Sequence, residues 1–438
     1  MTTQVIELND SEIRVAEGDS IVLRSPGYAF LDKDKIEIGV LAARQARLEP
    51  RAVHNRYWKN LNQDPLQTPS THARHNADLA FAQLLAIHEQ SGKPDEVIIA
   101  VPGSFTNEQL ALLLGLVDAS PLTVVGLVDT AVAAITPTAD KGNYVHIDMH
   151  LHQTVVTRLI VSDQVSRTSV QLVDGAGLTA IYDATAHLIA DLFIKESRFD
   201  PQHHPETEQA LYDQIPACLN SLQKHSEVTL EIQYQQTQHQ AKLPLDLLLK
   251  VLNPLYEKIA NLIDNSDSCL LSYQINQLPG LTTLLEGSRD LTENSVFEAC
   301  SQHAALFQSA GSASNYVTSL PATENPIIDD NPVQVSQSSA PSSNTADSIT
   351  HILHGHNAYA LNNDHLFLSA SGNISANDAS TCHCSIQQNS GQVELIIEGE
   401  LAVFVNGRQL KNTEIVRAGD IISFTGSKTE YTFIHVGN

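Results

Sequence analysis

In the stretch 143–156, NYVHIDMHLHQTVV, the residues His146, Asp148, His150 and His152 occupy every second position. Imidazoles and carboxylates are common ligands of zinc and related ions, and alternate residues of a strand share a face. All four cannot hold one ion, because the outer pair would lie roughly 20 Å apart at ~3.3 Å per residue. His150 and His152 are the pair left for a metal, with further ligands needed from elsewhere in the chain. A second metal-like group is Cys382-His383-Cys384. Zinc cysteines are usually separated by two to four residues, and no second Cys/His pair stands beside this group at finger spacing, so it reads as a run of small strand residues.

The elements that must position these residues follow from the chain as a whole. Its 438 residues suffice for two or three domains with a sizeable core, and 42% are hydrophobic against 17% charged. The formal net charge of −25 repels phosphate backbones and anionic lipid, which points to protein partners rather than nucleic acid or membrane. Five cysteines, a polar and acidic opening (MTTQVIELNDSEIR) and the lack of an apolar run of membrane-spanning length lead us to expect a soluble, cytoplasmic protein. Nothing in the sequence specifies an oligomeric state.

Residues 1–312 alternate strand-like and helix-like segments, which specifies an α/β domain. TQVIEL and EIRVA read as strands joined by Asn9-Asp10-Ser11. HNADLAFAQLLAIHEQSG reads as a helix with Ala77, Phe81, Leu84, Leu85 and His88 on one face. EVIIAVP is a buried strand, followed by a helix that Thr106 and Gln109 open as a capping box. NYVHID and QTVVTRLIVS are strands, and a long helix is expected from about Leu178 to Ser197. Residues 313–349, rich in Ser, Pro, Asn and Asp, read as a disordered linker. Residues 350–438, short strands broken by Gly, Asn and Asp, read as a small all-β domain.

The order of segments in 1–312 resembles the nucleotide-binding domain of the seventy-kilodalton heat-shock chaperones, a branch of the actin and sugar-kinase fold. The likeness is carried by RSPGYAFLDKDKIEIGVLAARQARLEPRAVHNRYW (24–58), VIIAVPGSFTNEQLALLLGLVDASPLTVVGLVDTAVAAI (97–135), DGAGLTAIYDATAHLIADLF (174–193) and LLSYQINQLPGLTTLL (270–285). It implies a two-lobed, ATPase-like domain with ATP and Mg²⁺ held between two glycine-rich hairpins. Such hairpins use glycine because backbone N–H groups approach a phosphate closely only where no Cβ intervenes.

The chain departs from that pattern where the chemistry would occur. The family's first loop, D-L-G-T-T, is Glu7-Leu8-Asn9-Asp10-Ser11 here, and its second, D-L-G-G-G-T, is Asp148-Met149-His150-Leu151-His152-Gln153. The K-R pair that orients the attacking water is Asn55-Arg56, and the E-P-T glutamate falls at Val128, beside Asp129. Bulky residues, Ser272-Tyr273-Gln274, stand at the adenosine-side double glycine, while Gly175 and Gly177 occupy the next glycine region. Phosphoryl transfer depends on positioning and charge neutralisation. A pseudo-ATPase is therefore expected, with an interaction scaffold or adaptor role. The alternative is a chaperone-like ATP hydrolase in which Glu7, Asp10 and Asp148 hold Mg²⁺ and water.

Residues 380–436 resemble a forkhead-associated domain, a β-sandwich that binds phosphothreonine peptides through its loops. Ser380-x-x-His383, Asn406-Gly407 after VFV, and Gly419-Asp420-Ile421-Ile422 carry the likeness. It implies that Ser380 touches phosphate and His383 buttresses the loops. The family's phosphate-gripping arginine has no counterpart in LSASGNIS (368–375), and its peptide-binding asparagine falls at Leu401. Because a bidentate arginine is the main anchor for a phosphate, the expectation is a docking β-sandwich, with a phosphopeptide-binding adaptor as the second reading.

Overall fold

The computed structural model describes residues 3–32, 35–263, 268–285, 287–308 and 316–322, and in the C-terminal region residues 351–354, 357–360, 366–369, 374–375, 383–389, 392–397, 401–405, 408–410, 413–416, 420–425 and 430–434. The chain divides into two compact units, Met1–Ile328 and Asp329–Asn438. Among the described residues, no helix is long and apolar enough to cross a membrane.

The first unit mixes helices with two six-stranded sheets. In one sheet, β1 (Gln4–Glu7) pairs antiparallel with β2 (Ile13–Glu17), and β2 with β3 (Ser20–Ser25). On the other side of β1 lie β4 (Glu96–Val101) and β5 (Thr123–Asp129), both parallel to it. The second sheet repeats this order. There β6 (Gly142–Met149) pairs antiparallel with β7 (Gln153–Val161), and β7 with β8 (Gln164–Asp174). On the far side of β6 lie β9 (Ser268–Leu271) and β10 (Arg289–Asp290), both parallel to it. Antiparallel neighbours need only a tight turn, whereas parallel ones need a crossover. Each sheet therefore has one tight hairpin beside its first strand, β1–β2 and β6–β7, and helices in the later connections. Crossovers over both faces explain why β4, EVIIAV, is buried from its second residue onward and carries no polar face.

Helix ends follow local chemistry. The Asn107–Asp118 helix opens with the expected capping box: Thr106 Oγ1 accepts from the Gln109 amide, and Gln109 Oε1 accepts from the Thr106 amide. The long helix spans Leu178–Ser197, as its sequence predicts.

Beyond residue 312 the structure departs from the sequence reading. Tyr316–Val317 adds a parallel strand to β5, and Ser319–Pro321 adds an antiparallel strand to β8. This part of the expected linker is thus a strap across both sheets. A polar composition concealed it, because its hold comes from distant partners. Tyr316 Oη donates to Asp129 Oδ2 (2.9 Å), Arg167 Nη1 donates to the same oxygen (2.7 Å), and the Arg167 amide donates to the Thr318 carbonyl (3.2 Å).

The C-terminal region is all-β in its described residues, with two antiparallel sheets of six and five strands. Ile352, Leu368, Ile386, Leu395, Val403, Phe424 and Phe433 are fully or almost fully buried and form its core.

The Asn76–Gln90 helix buries a different stripe from the one its periodicity suggests. Ala77, Leu79, Ala80, Gln83, Leu84 and Ile87 face inward, and Leu85 is exposed. Gln83 recentres the face because all of its polar atoms are satisfied inside. Its Oε1 accepts from Tyr57 Oη (2.5 Å) and Trp58 Nε1 (2.7 Å), and its Nε2 donates to Ser25 Oγ and the Pro26 carbonyl, both at 3.0 Å. Replacing it with leucine leaves two buried donors unpaired. Gln83→Leu is expected to cost roughly 2–5 kcal/mol in urea unfolding. A loss below about 0.5 kcal/mol, the range of a neutral surface change, would contradict this account.

Candidate functional site

The two tight hairpins meet at a buried charge cluster. Its centre is the His150 ring, with Nδ1 3.2 Å from Asp10 Oδ1 and Nε2 3.3 Å from Asp148 Oδ2. All three side chains are only 5% exposed. Asn9 closes the cluster: its Nδ2 donates to Asp148 Oδ1 (3.0 Å) and to the Met149 carbonyl (3.2 Å). The Asn9 Oδ1 in turn accepts from the Ser11 amide and hydroxyl, at 2.9 and 2.7 Å. The β1–β2 hairpin thus supplies Asn9, Asp10 and Ser11, and the β6–β7 hairpin supplies Asp148 and His150.

The electrostatics follow from this packing. Burial opposes ionisation of Asp148, but the hydrogen bond and charge of His150 override it and hold the carboxyl down at about 2. Burial likewise opposes the imidazolium, yet the hydrogen bond to Asp10 and the charge of Asp148 3.3 Å away raise His150 to about 10. His150 is therefore a fixed cation at neutral pH, with a carboxylate on each nitrogen, and it has no free lone pair with which to act as a base. Its neighbour His146 is buried with neither ring nitrogen partnered among the described residues, and burial lowers its pKa.

The backbone groups of the hairpins are also engaged. The Leu151 amide donates to Asp10 Oδ1 (2.8 Å), the His150 amide to the Gln153 carbonyl (2.9 Å), the Asn9 amide to Glu7 (3.2 Å) and the Glu12 amide to Asn9 (3.0 Å). A helix N-terminus ordinarily offers free amides to an anion. Here the Leu178 and Thr179 amides donate to the His150 and Leu151 carbonyls, each at 2.9 Å. Gly177 makes this approach feasible, since a Cβ there would lie 2.5 Å from the His152 carbonyl carbon and 2.6 Å from Leu151 O. Gly175 serves the turn before it, with φ +68°.

The other sequence candidates lie around this centre. Glu7 does not face the cluster's histidine but forms a buried ion pair with Arg14. Burial pushes its carboxyl up, and the Arg14 charge opposes the rise. His152 turns away from His150: its Nε2 is 3.0 Å from the Asn55 carbonyl and 3.1 Å from Asn55 Oδ1, and its Nδ1 is 3.2 Å from Thr179 Oγ1. Burial and the Arg56 charge lower its pKa. The two histidines offered as a metal pair therefore serve separate networks. Among the described residues, no group of three or more His, Cys, Asp or Glu side chains is arranged to hold a metal ion. Cys384 is a buried strand residue, whereas Cys382 lies outside the described residues.

Sequence reading missed several side chains that tie the lobes together. Lys59 Nζ meets Asp174 Oδ1 at 2.5 Å. Arg47 pairs with Asp183 at 2.8 Å and stacks 3.6 Å above the Tyr212 ring, whose hydroxyl donates to the same Asp183 oxygen at 2.6 Å. Asp129, fully buried, caps the Thr130–Ile135 helix through Oδ1 and receives Arg167 and Tyr316 on Oδ2. No local pattern marks these residues, because each partner is tens to more than a hundred positions away.

In the C-terminal unit, His383 lies at the start of the Cys384–Asn389 strand. Its amide donates to the Leu368 carbonyl (2.9 Å), and its ring meets Phe424 edge-on at 5.8 Å. Its Nδ1 is buried without a partner among the described residues. Tyr431 Oη donates to the Ser369 carbonyl (2.7 Å) and ties the two sheets. Ser380, Asn406 and Gly407 lie outside the described residues. A family model of the FHA domain matches residues 366–425, so the C-terminal all-β region is FHA-like. A search of the curated proteins finds no match to the chain.

The hairpin cluster has a defined pH signature. The His150 pKa is raised from its ordinary 6.5, so its stabilisation is complete below 6.5 and is lost as pH rises through about 10. The Asp148 pKa is depressed from 3.8, so its stabilisation is complete above 3.8 and is lost as pH falls through about 2. His150→Ala strands two buried carboxylates and should cost about 3–5 kcal/mol at neutral pH. That deficit should shrink steadily between pH 6.5 and 10 in urea titrations. A deficit independent of pH across that window would show that His150 is not a cation in the fold.

Proposed function

We propose that this protein is an adaptor that docks phosphorylated protein partners through its FHA-like region. The carrying observation is the family match over residues 366–425. FHA domains bind phosphopeptides on protein partners, and Ser380, His383, Asn406 and Gly407 stand at the family's loop positions. Phosphate capture here relies on hydroxyl and backbone donors, because the sequence carries no arginine at the usual position and has Leu401 in place of the peptide-binding asparagine. Affinity should accordingly be modest. A phosphothreonine peptide array, with unphosphorylated copies alongside, tests this reading. Selective binding that disappears in Ser380→Ala is the expected result, and equal binding of phosphorylated and plain peptides would refute it.

The first domain, on this reading, is a heat-shock-70-like and actin-like scaffold that does not hydrolyse ATP. Two observations support this. The strand order of the actin-type lobe, three antiparallel strands and two parallel ones, occurs twice. The groups that would meet phosphate and Mg²⁺ are bonded to one another: Asp10 and Asp148 to His150, and the Leu151, His150 and Leu178 amides to oxygens of the hairpins. These residues do not fit Mg·ATP. Titration calorimetry with Mg·ATP should show no binding tighter than about millimolar. Tighter binding, with phosphate release lost in Asp148→Ala, would establish the ATPase alternative instead.

A further inference from the structure

A cleft of about 760 Å³ opens in the first unit beside His152, within the size range of small-molecule sites. Its charge balance is unlike that of the rest of the chain. The whole sequence has 25 Lys and Arg against 50 Asp and Glu, whereas the cleft is lined by four arginines and three carboxylates. All three carboxylates are engaged. Glu12 pairs with Arg24 at 2.7 Å, Asp183 with Arg47 at 2.8 Å, and Asp213 accepts from Gln209 Nε2 at 2.8 Å. The other two arginines, Arg44 and Arg56, are exposed and have no side-chain partner among the described residues. On the cleft wall, Gln274 buries both its amide oxygen and its amide nitrogen without a partner among the described residues. A buried amide left unsatisfied costs about 1–3 kcal/mol per group, so such a group marks a place where water or a ligand completes the bonding.

We propose that this cleft binds a small organic anion, a phosphate ester or a polycarboxylate, directly through Arg44 and Arg56 and without a divalent metal. The cleft's unpaired charge is two guanidiniums against the single carboxylate of Asp213, which is bonded only to a neutral amide, so the balance is positive. Guanidinium groups take carboxylate or phosphate oxygens in pairs, whereas a hard cation needs several free carboxylates, and two of the three lining the cleft are held by arginines, which leaves Asp213 alone. Gln274 offers one donor-bearing and one accepting atom to a hydroxyl or amide beside the anionic group. The proposal rests on the reading that the hairpins do not hold Mg·ATP and is independent of phosphopeptide binding by the other unit.

The test is titration calorimetry of the full chain in EDTA with two probes, fructose bisphosphate and citrate. At least one should bind more tightly than about 1 mM. Arg44→Gln and Arg56→Gln should each weaken it roughly tenfold or more, and Mg²⁺ should not strengthen it. Both residues are exposed, so circular dichroism should be unchanged in the variants. Gln274→Leu should weaken binding while leaving the net charge alone, which separates a shaped site from simple charge attraction. No binding of either probe up to about 10 mM overturns this proposal alone. So does binding that neither arginine variant alters. ATP binding that requires Mg²⁺ would overturn both this proposal and the closed-hairpin reading.

Discussion

The first unit depends on one buried cation. His150 carries its charge between Asp10 and Asp148, and the Asn9 and Leu151 contacts of the two hairpins are arranged around that fact. A charge removed from water is costly unless it is paired and its remaining bonds are met. Two carboxylates flank the ring, Asn9 takes the outer oxygen of Asp148, and the Leu151 amide takes the inner oxygen of Asp10. The space between the two hairpins is thus filled by a side chain that brings its own positive charge.

Other charge contacts act in the same direction. Arg47 with Asp183, Lys59 with Asp174, and Asp129 with Arg167 each join elements of the two halves of the unit, and Tyr316 adds to the last pair from a strand beside Asp129's own. The last of these is buried on the Asp129 side and includes the strap that crosses both sheets. Partly exposed pairs add little individually. The buried ones are costly to break, because removing one partner leaves an uncompensated charge inside. The cleft beside them keeps its free arginines, so closing the hairpins does not close the domain to ligands.

Much of the local architecture was legible in the sequence. Apolar runs such as EVIIAV marked buried strands, Thr106 and Gln109 marked a helix start, and the long helix was placed at Leu178–Ser197. Ser380-x-x-His383 and Asn406-Gly407 pointed to the FHA-like region that the family match supports at 366–425. The departures came where partners are remote. The Asn76–Gln90 helix turned its face to satisfy Gln83, and the strap joined the sheets through Asp129 and Arg167.

By itself, the sequence determined most of the elements, the α/β-then-all-β order and the placing of Asn9, His150 and His152 in the turns beside the first strands, because these depend on residue type and on neighbours a few positions away. Only the tertiary structure decided what those residues do. His150 and His152 are two residues apart and look alike on paper. One is a cation locked between carboxylates from both hairpins, and the other is bonded to Asn55. Their difference lies in partners 2 to 140 positions distant. A protonation state depends on the field of such partners rather than on residue identity.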